Sequence, residues 1–213
     1  MEKFFQDEKH KNCTFEEIFA GLCLDRARSE DEAYEYFCAF ADKHIGTQIT
    51  AIAAFDGEAA DNKLLFRSRI RAIYRASVWG QFSLLCSGAI SSGDISEIAE
   101  SLKDVFCELE SEGREFNGFI KKGVIIDTPL LLYRFPSYAR FDFLCIDLER
   151  ICAMCTGKNL GSGYSSEIIK DVTHLFDANP SSEIALKVSS GAIISETQKM
   201  LSERNIDRVY VWK

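Results

Sequence analysis

The sequence predicts an α/β fold, a TIM-type (β/α)8 barrel with trimmed loops, and three observations carry that expectation. Eight short apolar runs alternate with amphipathic segments, the pattern of repeated βα units. Several of those runs are continuously apolar, as expected for parallel strands covered by helices on one side and packed on the other. The 213 residues include 3 prolines and 13 glycines with no linker-like stretch, so residues 1–213 read as a single domain. Such barrels usually take about 250 residues, with about 200 as the lower limit, which leaves no room for a final helix after Trp212. A doubly wound open sheet fits the same alternation, because periodicity does not fix the order of strands.

The strands expected from these runs are, in order, Met1 to Phe5, Gly21 to Ala27, Ile49 to Asp56, Phe82 to Gly88, Gly123 to Asp127, Phe141 to Asp147, Ile184 to Ser190 and Arg208 to Trp212. Between them, Ser29 and Glu32 have capping-box spacing ahead of Ala33, Phe37, Phe40 and Ala41, which share a helical face. Asp61 or Asn62 can cap the next helix, where Arg67, Arg69, Arg71 and Arg75 interleave with Leu65, Ile70 and Ile73. Those arginines read as a solvated face. Ile95, Ile98, Leu102, Val105, Phe106 and Leu109 recur with the helical period and predict a long surface helix. Ser165 precedes a last amphipathic run through Ile168, Ile169, Val172, Leu175 and Phe176.

Composition excludes several function classes. With 46% hydrophobic and 27% charged residues the chain suits a globular domain. A net charge of −8 offers no basic field for nucleic acid or anionic lipid. No apolar run approaches the roughly 18 residues of a membrane span, and the polar segment from Glu2 to Asn12 is unlike a signal peptide, so a cytoplasmic location is expected. The eight cysteines lie mostly in apolar stretches without disulfide-scaffold spacing, and read as reduced, buried small hydrophobes.

In a parallel barrel, reactive groups sit at the carboxyl ends of strands, where the βα loops form a common mouth. The polar residues there are Asp25, Arg26, Asp56, Asp127, Asp147, Glu149, Arg150, Ser189 and Ser190. Converging carboxylates with arginines could hold magnesium and an anionic substrate, since hard cations take oxygen ligands. Short polar residues at strand ends also cap the next helix or start a turn. Cys152 and Cys155 form one Cys-x-x-Cys without a second pair, and Ala153 and Met154 between them read as a buried helix start, against zinc or redox use. His10, His44 and His174 suggest no triad or metal cluster, and Gly161-Ser162-Gly163 is a turn too short for a phosphate loop.

Three segments stand out, LFRSRIRAIYRAS at Leu65 to Ser77, WGQFSLLCSGAISS at Trp79 to Ser92 and EGREFNGFIKKGVIIDTP at Glu112 to Pro129. They resemble the C-terminal barrel of the phosphoenolpyruvate-utilising enzymes, as in enzyme I of the bacterial sugar phosphotransferase system and pyruvate phosphate dikinase. FDFLCIDL at Phe141 to Leu148 looks like the strand leading to the family's GTNDL motif, and GLCLDRA at Gly21 to Ala27 looks like its GLYRT strand. The collinear resemblance runs from about Thr14 to Trp212. It implies a (β/α) barrel that binds phosphoenolpyruvate and magnesium at its mouth through arginines and acidic groups, with a cysteine as proton donor.

Matched position by position, the resemblance implies substrate binding by Arg26 and Arg150 and metal binding by Asp127 and Asp147. The departures are as informative. The family's next arginine falls on Ala53, and the loop after Asp56 lacks its arginine-bearing segment. Asp127 stands for a metal-binding Glu. An ungapped match puts Arg150 on the metal-binding Asp, whereas a three-residue deletion puts Asp147-Leu148 on its Asp-Leu. In KVSSGAI, at Lys187 to Ile193, the catalytic cysteine falls on Val188, so no catalytic residue is assigned.

Losing one transition-state donor typically costs about 10²–10³ in rate, so losing several leaves little catalysis. The expected function is that of a degenerate barrel without phosphotransferase activity, acting through binding or self-association as a homodimer or with a protein partner. No cofactor is then expected. The alternative is a magnesium-dependent enzyme acting on phosphoenolpyruvate or a small 2-keto acid.

Overall fold

Among the described residues of a computed structural model, seven parallel strands lie side by side in the order of the chain, β1-β2-β3-β4-β5-β6-β7. The structure describes residues 17–20, 29–55, 60–133, 138–156, 166–178, 183–187 and 209–212. The strands are β1 (Glu17–Ala20), β2 (Gln48–Ala54), β3 (Gln81–Ser87), β4 (Lys121–Ile126), β5 (Phe143–Asp147), β6 (Glu183–Lys187) and β7 (Val209–Trp212). Helices α1 (Glu30–Lys43), α2 (Ala60–Ala76), α3 (Ser92–Ser111), α4 (Pro129–Tyr133), α5 (Leu148–Thr156) and α6 (Ser166–Ala178) fall between them. A doubly wound sheet reverses direction at a switch point. Among the described strands the order never reverses, so the open-sheet alternative is overturned and consecutive staves of a barrel are what remain. The expected strand at Met1 to Phe5 and the expected strand at Gly21 to Ala27 lie outside the described residues, as do Gly161-Ser162-Gly163 and His10.

Strands β2 to β6 separate two apolar layers, because successive side chains point to opposite faces. Ala51, Ala53, Leu84, Cys86, Val124, Ile126, Leu144, Ile146, Ile184 and Leu186 face the helices and join their buried residues in the main core. The other parity, Ile52, Leu85, Ile125, Phe143, Cys145 and Ala185, makes a smaller cluster inside the staves. The inner layer has no spare volume around Gly123: a Cβ there would lie 2.4 Å from the Phe143 ring, its register neighbour. Towards the amino ends of the strands the lining turns polar, with Gln48 Nε2 donating to Ser83 Oγ at 2.9 Å and Lys121 paired with Glu183 at 2.5 Å.

Helix α3 forms where the period predicts, burying Ile95, Ile98, Leu102, Val105 and Leu109. Each such side chain contributes on the order of 1.5–3 kcal/mol on leaving water. Ser29 caps α1 by accepting from the Glu32 amide at 3.2 Å, as its spacing foretold. On α6, Ile168, Val172 and Leu175 are buried.

Three expectations are corrected. Helix α2 begins at Ala60, so Asp61 and Asn62 lie within its first turn and do not cap it. Its arginines are not a solvated face. Arg71 donates to Glu30 at 2.6 Å, Glu112 at 2.6 Å and Glu108 at 3.2 Å, and Arg75 donates to Glu30 at 2.6 Å and Asp31 at 3.1 Å. Arg67 pairs with Asp104 and Glu108, and Arg69 is buried. Acidic residues of α1 and α3 thus clasp α2 from both sides. Nor are the cysteines uniformly buried: Cys86, Cys145 and Cys152 are, but Cys107 and Cys155 are exposed, and so is Met154.

Candidate functional site

The mouth is built where β4 and β5 end. Gly123 pairs with Phe143 and Ile125 with Cys145, so Asp127 and Asp147 continue the inward parity at the next register step. Neighbouring strands stand about 4.8 Å apart, which brings the two carboxylates together. Both residues are buried. Buried carboxylates require hydrogen bonds or a counter-charge, and Arg150 takes part in meeting both needs. Its Nη1 lies 3.1 Å from Asp127 Oδ2, with the Asp127 side chain 10% exposed and that of Arg150 62% exposed. Its backbone amide donates to Asp147 Oδ1 at 3.0 Å. Asp147 therefore caps the first turn of α5 while Asp127 holds the guanidinium above it.

The structure thus brings Asp127, Asp147 and Arg150 together, with Glu149 half-buried on the same turn. Asp25, Arg26, Asp56, Val188, Ser189 and Ser190 lie outside the described residues. Thr128, next to Asp127, receives the Leu131 amide at 3.3 Å and starts α4, and the buried Tyr138 hydroxyl donates to Leu131 O at 2.9 Å. The floor of the mouth is therefore held by short capping contacts on both βα turns.

The β3–α3 turn adds a feature that the sequence reading missed. Gly88 adopts a φ of +89°, and a Cβ there would lie 2.2 Å from Phe55 O, so only glycine lets the ends of β2 and β3 approach so closely. After it, the Ile90 and Ser91 amides both donate to Asp94 Oδ2 at 2.8 Å, and Ser91 Oγ receives the Asp94 amide. Helix N-termini of this kind can cradle an anion. Here the chain's own carboxylate fills the cradle. The Ser-x-x-Asp spacing of Ser91 and Asp94 was the signal available in the sequence.

The donor set does not fit a divalent cation as it stands. Magnesium takes oxygens at about 2.0–2.1 Å in an octahedron, whereas Asp127 carries a guanidinium and Asp147 is engaged in capping. Among the described residues no three His, Cys, Asp or Glu side chains gather into a metal-holding group. The cysteines offer no replacement chemistry. Burial pushes the Cys86 thiol up, and burial, with a smaller contribution from Cys155, pushes Cys152 up to about 11.

Comparison with known proteins agrees with this architecture. The chain is 32% identical over 111 residues to the phosphoenolpyruvate-protein phosphotransferase of Haemophilus influenzae. The chain is a distant homologue of that phosphotransferase. The matched stretch is 52% of this chain and 19% of the phosphotransferase, so the similarity concerns one part of a much longer protein. No family model matches the chain. Among solved structures, Haloferax volcanii malate synthase superposes with a TM-score of 0.57 at 9% identity, over 86% of this chain and 56% of that one. An aldolase/citrate lyase family protein of Burkholderia cenocepacia gives 0.56 at 9% identity, over 92% and 77%. The chain spans just over half of the malate synthase. These likenesses establish the fold, an α/β structure with the parallel sheet of TIM-barrel enzymes.

Among the described residues no helix is long and apolar enough to cross a membrane.

Proposed function

We propose that this chain is a degenerate barrel of the phosphoenolpyruvate-utilising type that no longer transfers phosphoryl groups and acts by binding, through self-association or a protein partner. The observation that carries this reading is the Arg150–Asp127 ion pair, which engages a carboxylate on which a metal-dependent mechanism would rely. The sequence homology supports the ancestry, and the missing arginines and cysteine support the loss of chemistry.

The opposite end of the barrel supports recognition. Ile45, Val78, Trp79 and Phe119 lie on the loops leading into β2, β3 and β4, and Phe119 is 98% exposed. Trp79 is 64% exposed although its Nε1 donates to Tyr34 Oη at 3.1 Å, and the Arg75 guanidinium lies 4.3 Å from the Tyr34 ring centroid. An exposed indole held in place by its neighbours loses little freedom on binding, as in interface anchors. Self-association through this face makes the protein a homodimer.

The second reading, a magnesium-dependent enzyme binding phosphoenolpyruvate or a small 2-keto acid, rests on the two adjacent buried carboxylates. A structure of the related-fold malate synthase is described with magnesium and glyoxylate. For this chain that reading requires Arg150 to leave Asp127. Calorimetry with phosphoenolpyruvate, with and without magnesium, separates the two. Absence of magnesium-dependent binding at millimolar ligand is expected. Magnesium-dependent binding abolished in Asp127→Ala would favour the enzyme.

A further inference from the structure

We propose that Cys152 and Cys155 are a site of reversible oxidation: a peroxide converts the exposed Cys155 first, and the buried Cys152, one helical turn away, closes a disulfide with it. The inference stands apart from the question of what the mouth binds.

The sequence reading set this Cys-x-x-Cys aside because Ala153 and Met154 between the two read as buried. The structure divides the pair instead. Both cysteines lie on α5 and are unbridged, with Cys152 only 1% exposed in the main core next to Ile151, whereas Cys155 is on the surface with Met154. Side chains three residues apart are neighbours on a helix, so a core-side thiol and a solvent-side thiol meet across one turn. Burial raises the Cys152 thiol first and the charge of Cys155 raises it further, a sign that the two groups feel one another.

Helix geometry sets Cα atoms three residues apart at about 5 Å, inside the range of about 4.4–6.8 Å that a disulfide spans. The Cβ atoms, about 5–6 Å apart on a regular helix, must come within about 3.5–4.5 Å. The turn that has to tighten is the last of α5, which ends at Thr156, one residue beyond Cys155. A bridge that costs helix geometry is readily reduced again, which makes the modification reversible.

The chemistry balances with one peroxide per pair. Its oxygen passes to the Cys155 sulfur, giving a sulfenic acid and one water; the Cys152 sulfur then attacks, the S–S bond forms, and the hydroxyl leaves with the Cys152 proton as a second water. Two thiols lose two electrons and the peroxide gains them. Burial divides the roles, because oxidant from solvent reaches Cys155 while Cys152 stays reduced until a sulfenic acid stands one turn away. Cys107 is the contrast: it is exposed on α3 with no cysteine within a helical turn of it in the sequence, so its sulfenic acid proceeds to sulfinic acid.

The test treats the folded, fully reduced chain with hydrogen peroxide, blocks remaining thiols and digests with trypsin, which releases both cysteines on one peptide, Ile151 to Lys158. Circular dichroism during oxidation checks that the fold persists. That peptide should lose two hydrogens, take no blocking label and recover both thiols with dithiothreitol; Met154 sulfoxide, which adds an oxygen, is told apart by mass. Sulfinic acid at Cys155 should form at least about tenfold faster in Cys152→Ala than in wild type, since a thiol on the same helix intercepts the sulfenic acid at high effective concentration. Cys155→Ser, a surface change, should leave Cys152 a thiol that labels only after unfolding. The proposal is overturned if wild-type Cys155 reaches sulfinic acid as fast as Cys107, or if it bridges to any cysteine other than Cys152. Magnesium-dependent phosphoenolpyruvate binding would sink the proposed function instead and leave this result untouched.

Discussion

Replacing Gly88 by alanine tests whether the barrel mouth depends on a backbone contact that only glycine allows. The structure supplies two penalties. The φ of +89° is a left-handed conformation, costing an L-residue roughly 1–2 kcal/mol. The new Cβ would also lie 2.2 Å from Phe55 O, and Phe55 donates its amide to Ser87 O at 2.8 Å. Relieving the overlap means separating β2 from β3 at that hydrogen bond, which forfeits about 1–1.5 kcal/mol or more. Together the loss should be about 2–3.5 kcal/mol, a large share of the roughly 5–15 kcal/mol typical of a domain. Gly46 is the internal control: its φ is +80°, yet a Cβ there meets nothing within 4 Å. Gly46→Ala should therefore cost only the conformational part, about 1–2 kcal/mol. Urea unfolding followed by far-ultraviolet circular dichroism measures both variants against wild type. Equal losses in Gly88→Ala and Gly46→Ala would refute the steric argument and with it the close approach of the two strand ends.

Four other outcomes are expected. Arg71→Met removes the bridge between Glu30, Glu108 and Glu112 and should lower stability by about 1–3 kcal/mol in urea unfolding, since charge-assisted bonds exceed ordinary surface pairs. Glu112 is held below the usual carboxylate range, first by its hydrogen bond from Arg71. Its contribution to stability is thus fully present above the unfolded value of about 4.3 and is lost as pH falls towards and through the lower folded value. Glu112→Gln should flatten that acid limb in unfolding curves taken between these pH values. Exposed Cys107 and Cys155 should react with a thiol reagent at pH 8, whereas Cys86 and Cys152, raised by burial, should need unfolding first. Trp79→Ala should shift the sedimenting species towards monomer by at least about tenfold in dissociation constant, as for an interface anchor. An unchanged dissociation constant would remove Trp79 from any dimer contact.

Much of the fold was legible because it is local. The apolar runs around Leu84, Val124 and Leu144 and the periodic face of α3 needed only neighbouring residues to be read. The barrel was not separable from a doubly wound sheet in the same way, because strand order depends on which distant runs pair. The basic helix was misread for a related reason. Glu30 and Glu108, which take up Arg71, lie 41 and 37 residues away in sequence, so composition showed the charges but not their clasp. At the mouth, Asp127 and Asp147 were found from their place at strand ends. The seat of Arg150 between them depends on the turn geometry of α5, and the filled cradle at Asp94 lay in a spacing whose meaning only the loop backbone reveals.

The unbroken order of the staves has a consequence for how the chain assembles. Each described strand from β1 to β6 pairs with the next one along the polypeptide. Loop closure is then paid in short instalments, since entropy grows slowly with each added span. The clasp of α2 by α1 and α3 follows the same rule, with charge pairs joining three consecutive helices. The mouth, too, is made by neighbours in the chain, since it joins the ends of the adjacent staves β4 and β5 through α5.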